Sequence, residues 1–212
     1  SLVGSEMCIR DSYCSEIATD DNKSIVKEKT GLLIDSYFSA TKIKWILDNV
    51  EGARAKAEAG ELCFGTVDTY LMYRLSAGEV FKTDITNASR TMLFNINTLR
   101  WDDELLKLFD IPKTLLPEVV HSDSCFGSLS ELGDITIHAV LGDQQAALFG
   151  QGCLEKGQLK STYGTGCFIM SNVGDKPIHS DDGLLTTIGF SLNGKVYYAI
   201  EGSIYASGTT VQ

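Results

Sequence analysis

The chain has 212 residues, 43% of them hydrophobic, with 28 acidic and 18 basic side chains that give a formal charge of -10. That is enough apolar matter for a substantial core, and the acidic balance, with no basic run, argues against a nucleic-acid surface or an anionic membrane as partner. No stretch approaches the ~18 consecutive apolar residues of a membrane span.

Residues 1–12 (SLVGSEMCIRDS) show no clear period and no strand–turn pattern, and they lack the cationic start and apolar core of a signal peptide. They are expected to stand outside the fold. Residues 13–29 are polar and charged, with at most a short helical tendency, so residues 1–29 are set apart as a non-homologous or poorly ordered segment. From Thr30 the signals sharpen. Ser39 is a candidate cap for a helix through Asn49, with Ile43, Ile46, Leu47 and Val50 on one face. Glu51 to Gly60 reads as an exposed, alanine-rich helix. Phe64-Gly65-Thr66 turns into a helix whose Val67, Leu71 and Leu75 are spaced to face a core. Val80 to Thr91 looks extended, and Leu93 to Asn97 continues it. Trp101-Asp102-Asp103-Glu104 opens a helix with acids in its first turn, where they suit the helix dipole. Leu105, Leu108 and Phe109 form its apolar face. Ile111-Pro112 and Leu116-Pro117 are breaks, and residues 118–134 are turn-rich.

Ile137, Ala139, Val140 and Leu141 read as a buried strand that ends at Gly142, where an apolar helix begins. Asp143 would then sit at the carboxyl end of a strand, where open α/β sheets gather their ligands. Aspartate is also a favoured helix N-cap, and the local pattern leaves both readings open. Leu159–Tyr163 and Thr165–Asn172 are strand candidates, followed by a polar loop, Gly174 to Gly183. Leu184–Leu192 and Lys195–Ile200 flank Asn193-Gly194, a strong hairpin signal. Gly202 is expected to precede a small-residue helix from Ser203 onward, and a chain that stops at Gln212 inside that helix reads as truncated. Strands alternating with helices give the α/β class, with a boundary shortly after Asp143.

Six cysteines (Cys8, Cys14, Cys63, Cys125, Cys153, Cys167) are scattered, mostly in apolar segments and without a CxxC pair. Buried free thiols in a reducing cytoplasm fit this better than a disulfide framework. His121, His138 and His179 are isolated and not at zinc-ligand spacing.

Four features carry chemistry or its bland counterpart. Asp143 stands beside Gln144. Tyr163-Gly164-Thr165-Gly166 is either a turn whose amides approach a phosphate or an ordinary hairpin. Glu201-Gly202-Ser203, with Gly208 further on, is either an anion-facing helix start or a tightly packed one. Tyr37-Phe38-Ser39 with Thr41, Lys42, Lys44 and Trp45 is either a ligand cluster or an amphipathic helix start with a snorkelling lysine.

Taken in order, these segments resemble a known family. YFSATKIKWILDN (Tyr37–Asn49), FGTVDTY (Phe64–Tyr70), TDITNASRTMLFNI (Thr83–Ile96), GDQQAALFGQ (Gly142–Gln151), TYGTGCF (Thr162–Phe168), GLLTTI (Gly183–Ile188) and EGSIYASG (Glu201–Gly208) are similar to signatures of the FGGY carbohydrate kinases. These are sugar and polyol kinases of the actin-like ATPase (ribonuclease H-like) fold, and the likeness is strongest to members that phosphorylate glycerol. It spans about Thr30 to Gln212. The resemblance implies that residues 30–150 are part of the first domain and 151–212 the start of the second.

It also implies transfer of the ATP γ-phosphoryl group to a terminal hydroxyl of glycerol. Asp143 would be the general base, Gln144 would hydrogen-bond the neighbouring hydroxyls, Tyr37 would contact the polyol and Phe168 would wall its carbon backbone. Thr165, Gly166, Gly208 and Gln212 would line the nucleotide site. The implied cofactors are ATP and Mg2+, the ion arriving with ATP and Asp143 rather than in a metal site of the protein. Glycerol and ATP/ADP are the implied partners of a cytoplasmic, homo-oligomeric parent, with no nucleic acid and no membrane span. Two alternatives stay open: a sister kinase of the xylulose or gluconate type, and a non-catalytic actin-like nucleotide-binding scaffold.

The family's N-terminal phosphate loop, its glycerol-gripping Arg-Glu pair and its adenine-binding glycine segment are not among these residues. The 212 residues are therefore expected not to phosphorylate glycerol alone, and uncovered strand edges invite association. Members inhibited by fructose 1,6-bisphosphate carry a glycine-rich loop with an arginine, where this chain has Glu131-Leu132-Gly133-Asp134-Ile135. Full-length activity is expected to survive millimolar fructose 1,6-bisphosphate.

Overall fold

The structure, a computed structural model, describes residues 2–164 and 166–204. Its first part is helical: α1 (Leu2–Ile17), α2 (Asp20–Thr30), α3 (Ser39–Asn49), α4 (Ala53–Glu58) and α5 (Val67–Leu75). The expectation that residues 1–29 stand apart with little structure is corrected for this secondary structure. Tyr13, Ile17 and Ile25 pack against a core in which Val26, Leu32, Phe38, Ile43, Leu47, Leu93, Leu105 and Phe109 are buried. Helix α2 has few apolar residues but good ends. Thr19 caps it by accepting from the Asn22 amide, Asp20 and Asp21 occupy the first turn, and Lys27 and Lys29 the last. It stops at Gly31, whose φ of 72° is left-handed. Only glycine fits there, because a Cβ would lie 2.3 Å from the Thr186 carbonyl oxygen.

Helix α3 has the expected limits, although its cap position is Phe38 and no side chain caps it. Ala40, Thr41, Ile43 and Leu47 are buried, while Ile46 and Val50 are exposed. Helix α5 also turns a different face inward than its spacing suggests. Thr69 and Met72 are buried, and Val67 and Leu71 are exposed. The helix touches the core along a narrow stripe, where Met72 meets Val80 and Phe126.

The stretch read as extended from Val80 is broken by a helix. Strand β1 (Lys82–Asp84) pairs in parallel with β4 (Glu118–Val120), and between them lie α6 (Ile85–Ala88), β2 (Phe94–Asn95), β3 (Arg100–Trp101) and α7 (Asp103–Leu108). Asp84 and Asp102 are the caps that start α6 and α7. Strands β5 (Gly127–Leu129) and β6 (Ile135–Ile137) form an antiparallel pair. The buried strand expected to run up to Gly142 therefore ends at Ile137. Ala139 is exposed, and Val140 and Leu141 are half-buried. Among the described residues no strand pairs with residues 138–142; Val140 packs toward Met72, Val80 and Phe126, and Leu141 toward Leu148, Met170 and Phe190.

Helix α8 (Asp143–Gly150) packs on an antiparallel sheet of β7 (Leu159–Tyr163), β8 (Cys167–Gly174), β9 (Leu185–Leu192) and β10 (Lys195–Ile204), in the order β7-β8-β10-β9. Leu148, Met170, Phe190 and Ala199 fill the layer between. Asn193 and Gly194 take φ of 52° and 76°, as a two-residue hairpin requires. A bulge at Tyr198 breaks the β10 register, and its hydroxyl donates to the Ile96 carbonyl at 2.8 Å. Ile85, Ala88, Phe94 and Ile96 pack on Val173, Ile188 and Tyr198, fastening the sheet to the helical part.

The helix expected from Ser203 is strand at that point, since Ser203 and Ile204 pair with Phe168 and Cys167. Cys63 and Cys125 are exposed rather than buried, while Cys14, Cys153 and Cys167 are buried and free. Among the described residues no helix is long and apolar enough to cross a membrane.

Candidate functional site

Five segments converge on a cavity of about 390 Å³. The start of α3 brings Tyr37, Ser39 and Lys42. Asn87 and Arg90 come from the end of α6 and the turn beyond it. The start of α8 supplies Gly142, Asp143, Gln144 and Gln145, and the sheet supplies Phe168 from β8 and Glu201 from β10. Tyr37, the Asp143–Gln144 pair and Phe168, distant from one another in sequence, thus share one space.

Asp143 is the first residue of α8; Gly142 holds the cap position and no side chain caps the helix. Asp143 Oδ1 accepts from the Gln144 amide at 2.8 Å, and Oδ2 lies 3.4 Å from Gln144 Nε2. Its carboxylate is therefore held by its neighbour on one side and exposed to the cavity on the other.

The backbone at Gly142 is fixed from a distance. Asp84 is fully buried and accepts from the amides of Thr86 (3.0 Å) and Asn87 (2.9 Å). It also accepts from Asn87 Nδ2 (2.8 Å), the Thr86 hydroxyl (2.7 Å) and the Ser122 hydroxyl (2.7 Å). Burial pushes its carboxyl pKa up, with these donors pulling the other way. The Thr86 oxygen in turn accepts the Gly142 amide at 2.8 Å. A Cβ at Gly142 would sit 2.6 Å from Gln145 Oε1, so that carboxamide would have to move to admit a side chain.

Two of the charges around the cavity pair with each other. Arg90 and Glu201 face each other at 2.9 Å (Nη1 to Oε2) and 3.4 Å (Nη2 to Oε1), and Glu201 is buried. The Arg90 guanidinium lies over the Phe38 ring, 5.3 Å from its centre. Lys42 Nζ donates to the Tyr37 carbonyl at 2.7 Å and stands over the Tyr37 ring. Burial, then the Arg10 charge, lowers the Lys42 pKa, with Asp35 opposing. Lys160, buried on β7, donates to Gln144 Oε1 and to the Thr162 hydroxyl at 3.0 Å. Burial lowers its pKa, while Glu201, Asp143, Cys153 and Cys167 oppose that.

A carboxylate, a carboxamide and aromatic walls suit a small, neutral ligand rich in hydroxyls, since each hydroxyl can donate to one group and accept from another. Among the described residues no group of three or more His, Cys, Asp or Glu is placed to hold a metal ion. One open carboxylate matches magnesium as it is usually bound, with waters and substrate phosphates as its other ligands. Arg90, Asn87 and Lys160 were not singled out as site residues from the sequence. Arg90 and Asn87 stand in the TDITNASR segment, which gave the only hint; nothing local marks Lys160. Gly166 lies in the β7–β8 turn, where its carbonyl accepts from Gly164 at 2.8 Å, and it is not part of this lining. Thr165, Gly208 and Gln212 fall outside the described residues.

Comparison with known proteins agrees with this architecture. The model of the N-terminal domain of the FGGY family of carbohydrate kinases matches residues 8–150. Glycerol kinase of Oceanobacillus iheyensis is 53% identical over 95% of this chain and 41% of its own length. Glycerol kinase of Alteromonas mediterranea is 59% identical over 94% of this chain and 41% of its own. The crystal structure of Plasmodium falciparum glycerol kinase with ADP matches with a TM-score of 0.90 at 38% identity, covering 95% of this chain and 41% of that one. A ligand-bound xylulose kinase from Lactobacillus acidophilus, at 20% identity and a TM-score of 0.79, shares the fold. The chain thus carries part of the α/β actin-like ATPase fold and spans about 41% of the length of these glycerol kinases.

Proposed function

The chain belongs to the FGGY family of carbohydrate kinases, and from that premise we propose that it is part of an ATP-dependent kinase acting on glycerol. The observation that carries this reading is the meeting of Tyr37, Asp143, Gln144 and Phe168 around one cavity. In this reading a terminal hydroxyl of glycerol donates to Asp143, and Gln144 bonds a neighbouring hydroxyl. Tyr37 and Phe168 cover the carbon backbone, and the Arg90–Glu201 pair closes the floor.

As the new O–P bond forms and the bond to the ADP oxygen breaks, Asp143 takes the hydroxyl proton. A loose transition state leaves that proton until late, so the base need not be strong. Magnesium, held by the nucleotide phosphates and Asp143, would offset their negative charge. Thr165, Gly166, Gly208 and Gln212 are proposed to line the nucleotide side, at the start of a second domain beginning near residue 151. The polyol-gripping and phosphate-loop residues belong, in this reading, to other parts of the family's length. The 212 residues alone are therefore proposed to be catalytically silent.

The test is Asp143→Asn in the full-length protein that contains this chain. Turnover of glycerol is expected to fall by about 10²–10⁴-fold with ATP binding retained. Unchanged turnover would remove Asp143 as the base. Turnover of a five-carbon sugar or a gluconate in place of glycerol would move the protein to a sister activity. No turnover of any polyol by the intact protein would leave a binding scaffold.

A further inference from the structure

A lysine buried in a protein layer is costly unless its charge is answered. Lys160 is only 2% exposed, on a sheet that buries Met170 and Phe190 in the same layer. Its ammonium donates to Gln144 Oε1 and to the Thr162 hydroxyl. An ammonium has hydrogens only, so it must face the oxygen of the Gln144 carboxamide. The nitrogen then points the other way, and it lies 3.4 Å from Asp143 Oδ2 at the cavity.

We infer that Lys160 is a positioning residue that locks the Gln144 carboxamide with its hydrogens toward the cavity, beside a carboxylate that can only accept. The inference rests on the reading of this cavity as a polyol site. Two adjacent hydroxyls fit that pair without conflict: one donates to Asp143, and the next accepts from Gln144. Turned over, the carboxamide would set a second acceptor beside the first, and one hydroxyl would lose its partner. The pair thereby selects a vicinal diol over a single alcohol.

Two measurements test this. In the 212-residue chain, the Gln144 carboxamide protons are identified by their loss in Gln144→Ala. In Lys160→Met they are expected to shift and to report two orientations, while those of Asn172, which donates to the Cys153 carbonyl at 3.0 Å, stay in place. Methionine fills much of the same volume without the charge. An unmoved Gln144 signal would overturn the inference. In the full-length protein, Lys160→Met is expected to raise KM for glycerol about tenfold with KM for ATP unchanged. Added to Gln144→Ala, it should raise KM no further, because both changes remove one interaction. Additive losses, or an equal rise in both KM values, would also overturn it. If the unmodified full-length protein turns over no glycerol, the polyol reading fails, and the carboxamide measurement alone decides the role of Lys160.

Discussion

At the residue scale, the position of Asp143 depends on side chains that never touch the cavity. Thr86 is the joint: its hydroxyl donates to buried Asp84 and accepts from Gly142, the residue before Asp143. Thr86→Val keeps the shape and removes the hydroxyl. It strands the Gly142 amide and takes one donor from Asp84, which is expected to cost about 2 kcal/mol in urea unfolding. Thr86→Ser keeps the hydroxyl and should recover most of that loss; equal losses in the two variants would show that the hydroxyl bridge is not what matters. The TDITNASR segment stands out in the sequence, but its job does not. Thr86 and Gly142 are 56 residues apart, so their bond cannot be read from either neighbourhood. Burial of single residues is similarly hidden. Cys63 stands between Leu62 and Phe64 but faces solvent, because the packing of whole elements sets exposure.

At the element scale, helix ends were more readable than helix faces. The acidic opening of α7 follows from local chemistry and the structure has it, with Asp102 as the cap; α3 ends where expected at Asn49, although Ser39 does not cap its start. The inward face of α5 does not, because only contact with β1 and its surroundings chooses among its apolar stripes. Asp102 shows how one cap can bind several elements. It accepts from the amides of Glu104 (3.0 Å) and Leu105 (3.2 Å), from Lys29 of α2 at 2.8 Å, and from Asn95 of β2 at 2.8 Å. Burial works to raise its pKa, but the hydrogen bonds from Asn95, Lys29 and the Leu105 amide outweigh it and hold the carboxyl below its usual value.

Because the folded pKa is depressed, the stability that Asp102 contributes is fully present above the unfolded aspartate value near ~3.9 and is lost as pH falls through the folded value. Asp102→Ala is expected to cost about 2 kcal/mol at pH 7. That gap should close as unfolding is repeated below about pH 4. A difference independent of pH would assign the loss to packing instead.

At the scale of the whole molecule, the fold leaves apolar side chains in solvent. Val67, Tyr70 and Leu71 lie on α5, and Leu159, Tyr163, Ile169, Leu184 and Ile204 on or beside the β7–β10 sheet. Apolar surface and open strand edges on this scale favour association. The 212-residue chain is expected to sediment with a mass that grows with concentration. A single monomeric species across the micromolar range would contradict this.

The α/β class, the β7–β10 hairpins and the family motifs were readable from the sequence itself. They rest on periods and turn residues that act over a few positions, and hydrophobic alternation or an Asn-Gly pair works the same way wherever it occurs. The tertiary structure alone decided that Tyr13, Ile17, Ile25 and Val26 pack into the core, that residues 138–142 have no strand partner among the described residues, and that Arg90 meets Glu201 across 111 positions. It also set Lys160 behind Gln144. These outcomes depend on which surfaces the chain brings together, and local sequence chemistry holds no record of partners that arrive from far along the chain.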